Sequence, residues 1–246
     1  MKLQFLDNIK VFIFDIGKTL FDKNVQDKCS IKTIEALKIL KSKGYKVGVC
    51  TMRTFDHIRD IIDFDFDFYI LNNGSYVTCD MKSLIDEPLN VEITDKNYLL
   101  YTPYETYFSN DEAKTRAEEN GFIAEIKGTT SVFYNLILFD IEKDRLNELV
   151  SKFDCYYWEK TKTVSIQKKG CSRVDAIKKL ATYLNISISE ILYFGDGPND
   201  LEVIKALPYS IAMGDCFPEL LKYATLQIDS CKNDGVAKFV FDNFTN

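Results

Sequence analysis

The chain has 246 residues, 46% of them hydrophobic, which is enough for a sizeable core in one large or two modest domains. Its 31 basic and 37 acidic residues give a formal charge of -6 with no basic block, and this argues against nucleic acid or a membrane surface as a partner. A single histidine, His57, leaves serine, cysteine and zinc mechanisms that use several histidines poorly supplied. Carboxylates are therefore the expected chemistry, with His57 on a helix surface.

The apolar run Val11–Phe14 reads as a strand that ends at Asp15. Gly17-Lys18-Thr19 copies the end of a Walker A loop, but the glycine needed five positions before the Gly-Lys pair is Phe12, so no such loop forms. Ser30 is a predicted N-cap for a helix carrying Ile31, Ile34, Leu37 and Leu40 and stopped by Gly44. A strand over 45–51, a short helix from about Thr54 to Ile62, and a strand over 68–71 closing at Asn73-Gly74 follow. The alternating acids and rings of 63–68 read as a solvated edge.

After Ser75 the pattern becomes mixed: a strand over 76–79, a helix near 103–120 stopped by Gly121, a strand over 132–139, a helix from Lys143 to Phe153, and a strand ending at Trp158. The βα alternation resumes at 163–167 and runs through a helix over 172–184, a strand over 191–196 and a helix after Pro198. It ends with a strand over 209–214 and helices near 218–223 and 234–241. The expected organisation is a parallel core built from 1–75 and 163–246, with 76–162 as an insert. Seven scattered cysteines without a CxxC pair read as reduced, mostly buried thiols, and no apolar segment has the length of a membrane span. A cytoplasmic protein is the expectation.

Asp15, Thr51, Arg173 and Asp196 each fall at or just after the end of a predicted strand, and in a parallel sheet such ends converge on one edge. Gly195-Asp-Gly-Pro-Asn-Asp200 is the most specific stretch: two carboxylates and a carboxamide among flexible glycines, oxygen donors that suit Mg²⁺. The plainer alternative is a capped Gly-Pro turn. Asp15 as a neighbour favours the functional reading, because paired buried carboxylates without a cation are costly.

These motifs resemble those of the haloacid dehalogenase superfamily over nearly the whole chain, and in particular the Cof-type phosphatases, whose cap is inserted between the second and third motifs. The resemblance implies an α/β fold: a Rossmann-like parallel sheet with helices on both faces plus an inserted α+β cap. In "DIGKT" it makes Asp15 the nucleophile and Thr19 the closing threonine; in "GVCTMR" it picks Thr51, with Arg53 close behind; in "GCSRVDAI" it picks Arg173; in "GDGPND" it picks Asp196, Asn199 and Asp200. It further implies that Asp15 attacks phosphorus to form an aspartyl-phosphate that water cleaves. Mg²⁺ would be held by Asp15, the Gly17 carbonyl and Asp196, with Asp200 in the same metal group. Thr51 and Asn199 would bind the phosphoryl oxygens and Arg173 would stabilise their charge. The partner is then a small phosphorylated metabolite, selected by the insert. Its aromatic residues Tyr98, Tyr101, Tyr104, Tyr107 and Trp158 are candidate pocket walls, although at these spacings core or surface is the more ordinary role.

Three departures stand out. Gly17 occupies the position where the family's hydrolases carry a second Asp that protonates the leaving oxygen and then activates water. Arg173 stands for the usual lysine, with Val174 for the following glycine and Lys168 or Lys169 as alternative cations. Lys18 stands where a glycine usually precedes the motif threonine. A Mg²⁺-dependent phosphohydrolase of reduced activity is the favoured reading. A metabolite-binding regulatory relative, and a phosphotransferase or phosphonate-type enzyme, stay open beside it.

Overall fold

The computed structural model describes residues 3–245, so Met1, Lys2 and Asn246 of the expected core segments lie outside the described residues. In chain order its strands are β1 (Val11–Phe14), β2 (Lys46–Cys50), β3 (Phe68–Leu71), β4 (Tyr76–Cys79), β5 (Lys82–Asp86), β6 (Tyr98–Tyr101) and β7 (Thr106–Phe108). They continue with β8 (Ile126–Lys127), β9 (Asn135–Leu138), β10 (Asp154–Trp158), β11 (Thr163–Gln167), β12 (Ile191–Gly195), β13 (Ser210–Ala212) and β14 (Leu226–Gln227). The helices are α1 (Ile31–Ser42), α2 (Phe55–Ile61), α3 (Asp111–Glu119), α4 (Lys143–Lys152), α5 (Arg173–Tyr183), α6 (Leu201–Ala206) and α7 (Gly235–Phe244).

All four residues of β1 are buried because helices cover both faces of its sheet. Phe12 and Phe14 share one core with Leu37 and Leu40 of α1 and Val240 and Phe244 of α7, whereas Val11 and Ile13 share the opposite core with Ile177 and Leu180 of α5 and Val203 of α6. The strand order is β14-β13-β12-β1-β2-β3-β4-β5, parallel from β14 to β3 and antiparallel for the last two strands. Ser30 caps α1 by accepting from the Thr33 amide, and Thr54 caps α2 by accepting from the His57 amide, where the sequence placed both helix starts.

The second sheet, β10-β11-β9-β6-β7-β8, is antiparallel except for the β7/β8 pair. Alternation again splits its faces: Leu99, Tyr101 and Ile137 pack on Ala113 and Ala117 of α3, and Leu100, Leu136 and Leu138 pack with Leu149 of α4. Two expectations change here. The residues at 76–86 join the first sheet as a terminal antiparallel hairpin, and 163–167 belongs to the second sheet, so both sheet memberships shift from the expected boundaries at 76 and 163. The helix expected near 103–120 is shorter: Thr106–Phe108 forms a strand of β-favouring residues on β6, and the helix starts only at Asp111, where Asn110 accepts from the Ala113 amide.

The chain passes between the sheets twice, at 87–97 and 168–172. An ion pair between Lys168 and Glu87 ties the two crossings together. All seven cysteines are free, and no helix of the described residues is long and apolar enough to cross a membrane.

Candidate active site

β12, β1 and β2 run side by side in parallel, with Ile13 level with Tyr193 and Gly48. The residues that leave their carboxyl ends therefore emerge on one edge of the sheet. Asp15 extends the β1 ladder through its amide to the Phe194 carbonyl at 2.9 Å, and Thr51 extends β2 through its amide to the Ile70 carbonyl at 2.9 Å. Asp15, Gly17, Thr51, Arg173, Asp196 and Asn199, all chosen from the sequence, line one cavity of about 400 Å³.

Arg173 opens α5, whose start is fixed by Ser172 accepting from the Asp175 amide. Its guanidinium is fully buried: Nη1 donates to Asp15 Oδ1 at 3.3 Å, to Asp200 Oδ1 at 2.6 Å and to the Tyr193 hydroxyl at 3.2 Å, and Nε donates to Asn73 Oδ1 at 3.1 Å. The turn carrying Asn73 presses against the start of α5. A Cβ on Gly74, at φ 112°, would lie 2.5 Å from the Ser172 carbonyl oxygen, so only glycine permits that approach. Lys168 and Lys169 point elsewhere, to Glu87 and to the Ser151 carbonyl, whereas Arg173 reaches Asp15.

Among the described residues, Asp15, Asp196 and Asp200 form a group whose carboxylate oxygens lie within 4.8 Å of one another. Burial first, then the Asp200 charge, push Asp15 above the usual carboxylate range despite Arg173 and Arg53. Asp196 is pushed up in the same way, by burial first and then by Asp15, with Lys18 pulling it back. The donor set is hard oxygen with surplus negative charge, which fits a small divalent cation.

Asp200 is the most heavily hydrogen-bonded member of this group. It is fully buried, its Oδ1 accepts from Arg173 and from the Tyr193 hydroxyl (2.6 Å), and its Oδ2 accepts from the amides of Asp196 (2.9 Å) and Gly197 (2.8 Å). Those four bonds engage both oxygens, so Asp200 shapes the Asp196 loop and anchors Arg173 from behind the cavity. Thr19 Oγ1 lies 3.4 Å from Asp196 Oδ1, within reach of donating to it. Lys18 has φ 55°, the left-handed conformation that explains why glycine is usual there.

The opposite wall comes from the second sheet. Tyr101, Asn120–Ile123 and Trp158 line the cavity, whereas Tyr98, Tyr104 and Tyr107 do not. The Tyr101 hydroxyl donates to the Ile123 carbonyl at 3.1 Å and accepts from its amide at 3.3 Å, which pins the loop after α3 at the cavity mouth. Phe122 meets Trp158 edge to face at 5.4 Å. Participants that were not chosen from the sequence include Tyr193, Phe21 and the 120–123 loop. Tyr193 left one trace, a phenol in an otherwise apolar strand buried on both faces, which needs a polar partner. His57 is half-buried on α2, and its Nε2 is hydrogen-bonded to Arg53.

A family model for haloacid dehalogenase-like hydrolases matches residues 12–240. YkrA of Bacillus subtilis is 25% identical over 93% of this chain and 95% of its own length. The HMP-PP phosphatase of Yersinia pseudotuberculosis is 23% identical over 92% of each chain. In fold, the chain is similar to the solved structure of BT1666 from Bacteroides thetaiotaomicron, with a TM-score of 0.77 at 20% identity over 95% of this chain and 94% of that one.

Proposed function

The chain belongs to the haloacid dehalogenase-like hydrolase family, and on that premise we propose that it is a phosphohydrolase acting on a small phosphorylated metabolite, with Asp15 as nucleophile. The observation that carries the reading is the position of Asp15: at the carboxyl end of a central strand, held through Oδ1 by a buried arginine, and lining a cavity whose other wall includes Tyr101 and Trp158 of the second sheet. A phosphoryl group in that cavity would meet Thr51 and Asn199 as hydrogen-bonding partners, with Arg173 as the fixed positive charge behind the nucleophile.

Mg²⁺ fits the donor set, and Asp15, Asp196 and the Gly17 carbonyl are the groups that would hold it; when bound, the cation supplies the charge that lets two anions meet. Asp200 supports this set by fixing the Asp196 loop. The core would be the first sheet with its helices, and the cap would be the second sheet with α3 and α4, closing over the site to exclude water and select substrate. Relatives named as phosphatases, the HMP-PP phosphatase among them, support the reaction class. The free cysteines suit a reducing compartment, the cytoplasm.

The missing Asp at position 17 makes both half-reactions slow for ordinary esters, because the same side chain would serve as acid in the first step and base in the second. The test is a screen of the purified protein against phosphorylated metabolites with and without Mg²⁺. Turnover that requires Mg²⁺ supports the reading. Silence across the screen, together with measurable phosphate binding, would replace it with a binding role.

A further inference from the structure

With glycine at position 17, something else must meet the oxygen that leaves phosphorus. A Cβ built on Gly17 would lie 3.9 Å from Arg53 Nη2 and 3.9 Å from Asp15 Oδ2. The end of the Arg53 side chain thus borders the space in front of the nucleophile into which a side chain from position 17 would project. Arg173 holds the other oxygen, Oδ1, and is committed to Asp200, Tyr193 and Asn73 as well.

Arg53 is held there from several sides. Its amide donates to Thr51 Oγ1 at 3.2 Å, its guanidinium carbon lies 5.8 Å from the centre of the Phe21 ring, and its Nη1 is hydrogen-bonded to His57 Nε2. Burial first, and then the Arg53 charge, hold the His57 pKa down to about 4. The ring is therefore neutral at physiological pH and can accept from the guanidinium. Thr54, the cap of α2, fixes the first turn of the helix that carries the histidine.

We propose that Arg53 takes over the leaving-group side of the missing acid: Nη2 hydrogen-bonds the bridging oxygen of the phosphate ester and stabilises the charge that develops there, while His57 is the positioning residue that aims it. This inference rests on the phosphohydrolase reading and extends it to substrate class. As the Asp15 carboxylate forms its bond to phosphorus, the bond from phosphorus to the leaving oxygen breaks and its electron pair stays on that oxygen. The guanidinium keeps its protons, and the departing anion takes one from water after release. Stabilisation without protonation favours leaving oxygens that are stable as anions, so phenolic phosphates and phosphoanhydrides are preferred to alkyl phosphates. Trp158, Phe122 and Phe21 on the cavity wall suit a flat ring in such a leaving group.

The experiment is kcat/KM for the whole chain, with Mg²⁺, on 4-nitrophenyl, phenyl and alkyl phosphates, because this quantity reports the steps through departure of the first product. Arg53→Met should lose about 10-fold on the nitrophenyl ester and about 10²- to 10³-fold on the phenyl ester, since loss of one charge-stabilising donor matters more as the leaving oxygen becomes more basic. Arg53→Lys should fall between Arg53→Met and wild type. His57→Phe should reproduce the steeper leaving-group dependence more weakly, and His57→Gln, which restores an acceptor, should recover it. A loss equal for all esters would make Arg53 a simple phosphate binder and overturn the proposal, as would unchanged rates in the Arg53 variants. Wild-type silence on every ester would remove the phosphohydrolase reading itself, whereas an active wild type with a flat Arg53 response removes only this inference.

Discussion

Gly17→Asp tests the role assigned to the empty position most specifically. The backbone at 17 lies outside the left-handed region, and a new Cβ would meet only Arg53 Nη2 and Asp15 Oδ2, both at 3.9 Å, which is ordinary contact. The carboxylate can therefore be added without moving the backbone. Replacing glycine lowers the entropy of the unfolded chain, a gain of about 0.4–1 kcal/mol that offsets part of the cost of a further carboxylate near Asp15. Melting temperature should thus change little. A positioned acid-base is worth about 10²- to 10⁴-fold. Here the gain should fall near the lower end, because pairing with Arg53 would hold the new carboxyl ionised and weaken it as an acid, while leaving it competent as the base of the second step. The assay is steady-state turnover of an alkyl and an aryl phosphate in Mg²⁺, with a larger relative gain expected on the alkyl ester. A folded Gly17→Asp protein with no gain on either ester would refute the account of the missing acid.

Three further outcomes follow from the same geometry. Asp15 and Asp196 have pKa values raised to about 7 and about 8, so in the metal-free protein their contribution to stability is full below the ordinary value of 3.8 and is lost as pH rises through the raised values. In EDTA at about pH 8, Asp196→Asn should therefore melt higher than wild type, and Mg²⁺ should stabilise wild type but not the variant, as read by thermal denaturation at matched ionic strength. Arg173→Met leaves Asp200 buried with its cationic partner removed and should cost about 3–5 kcal/mol in urea unfolding, whereas an isolated surface pair would cost less than about 1 kcal/mol. Trp158→Ala removes one cavity wall and its edge-to-face contact with Phe122; for a ring-bearing substrate it should raise KM about 3- to 10-fold with kcat nearly unchanged.

The parallel strands and their ends were readable from sequence because a strand buried on both faces is a continuous apolar run, and the polar residue that ends it is conspicuous. Asp15 after Val11–Phe14 and Asp196 after Ile191–Gly195 are both of this kind. Sheet membership was less readable. The pattern of Thr163–Gln167 suits a strand in either sheet, and Thr163, Ser165 and Gln167 are buried rather than facing water, so alternation gave no indication of its partners. Asp200 shows the limit for site residues. Its spacing in Gly195–Asp200 matches a metal ligand, but its Oδ1 is engaged by Arg173, 27 positions away, and by the Tyr193 hydroxyl, while its Oδ2 is engaged by the Asp196 and Gly197 amides. Likewise, only the fold brings Arg53 beside Gly17.

The central claim is that Asp15 carries the phosphoryl group, and loss of the second-step base should make that adduct long-lived. Rapid acid quench of the protein with an aryl phosphate in Mg²⁺, followed by peptide mass analysis, measures it directly. A burst of the phenol close to one per chain is expected, with a phosphoryl group on the peptide containing Asp15 that is absent in Asp15→Asn. Sustained turnover with no adduct on that peptide, or with Asp15→Asn as active as wild type, would contradict it.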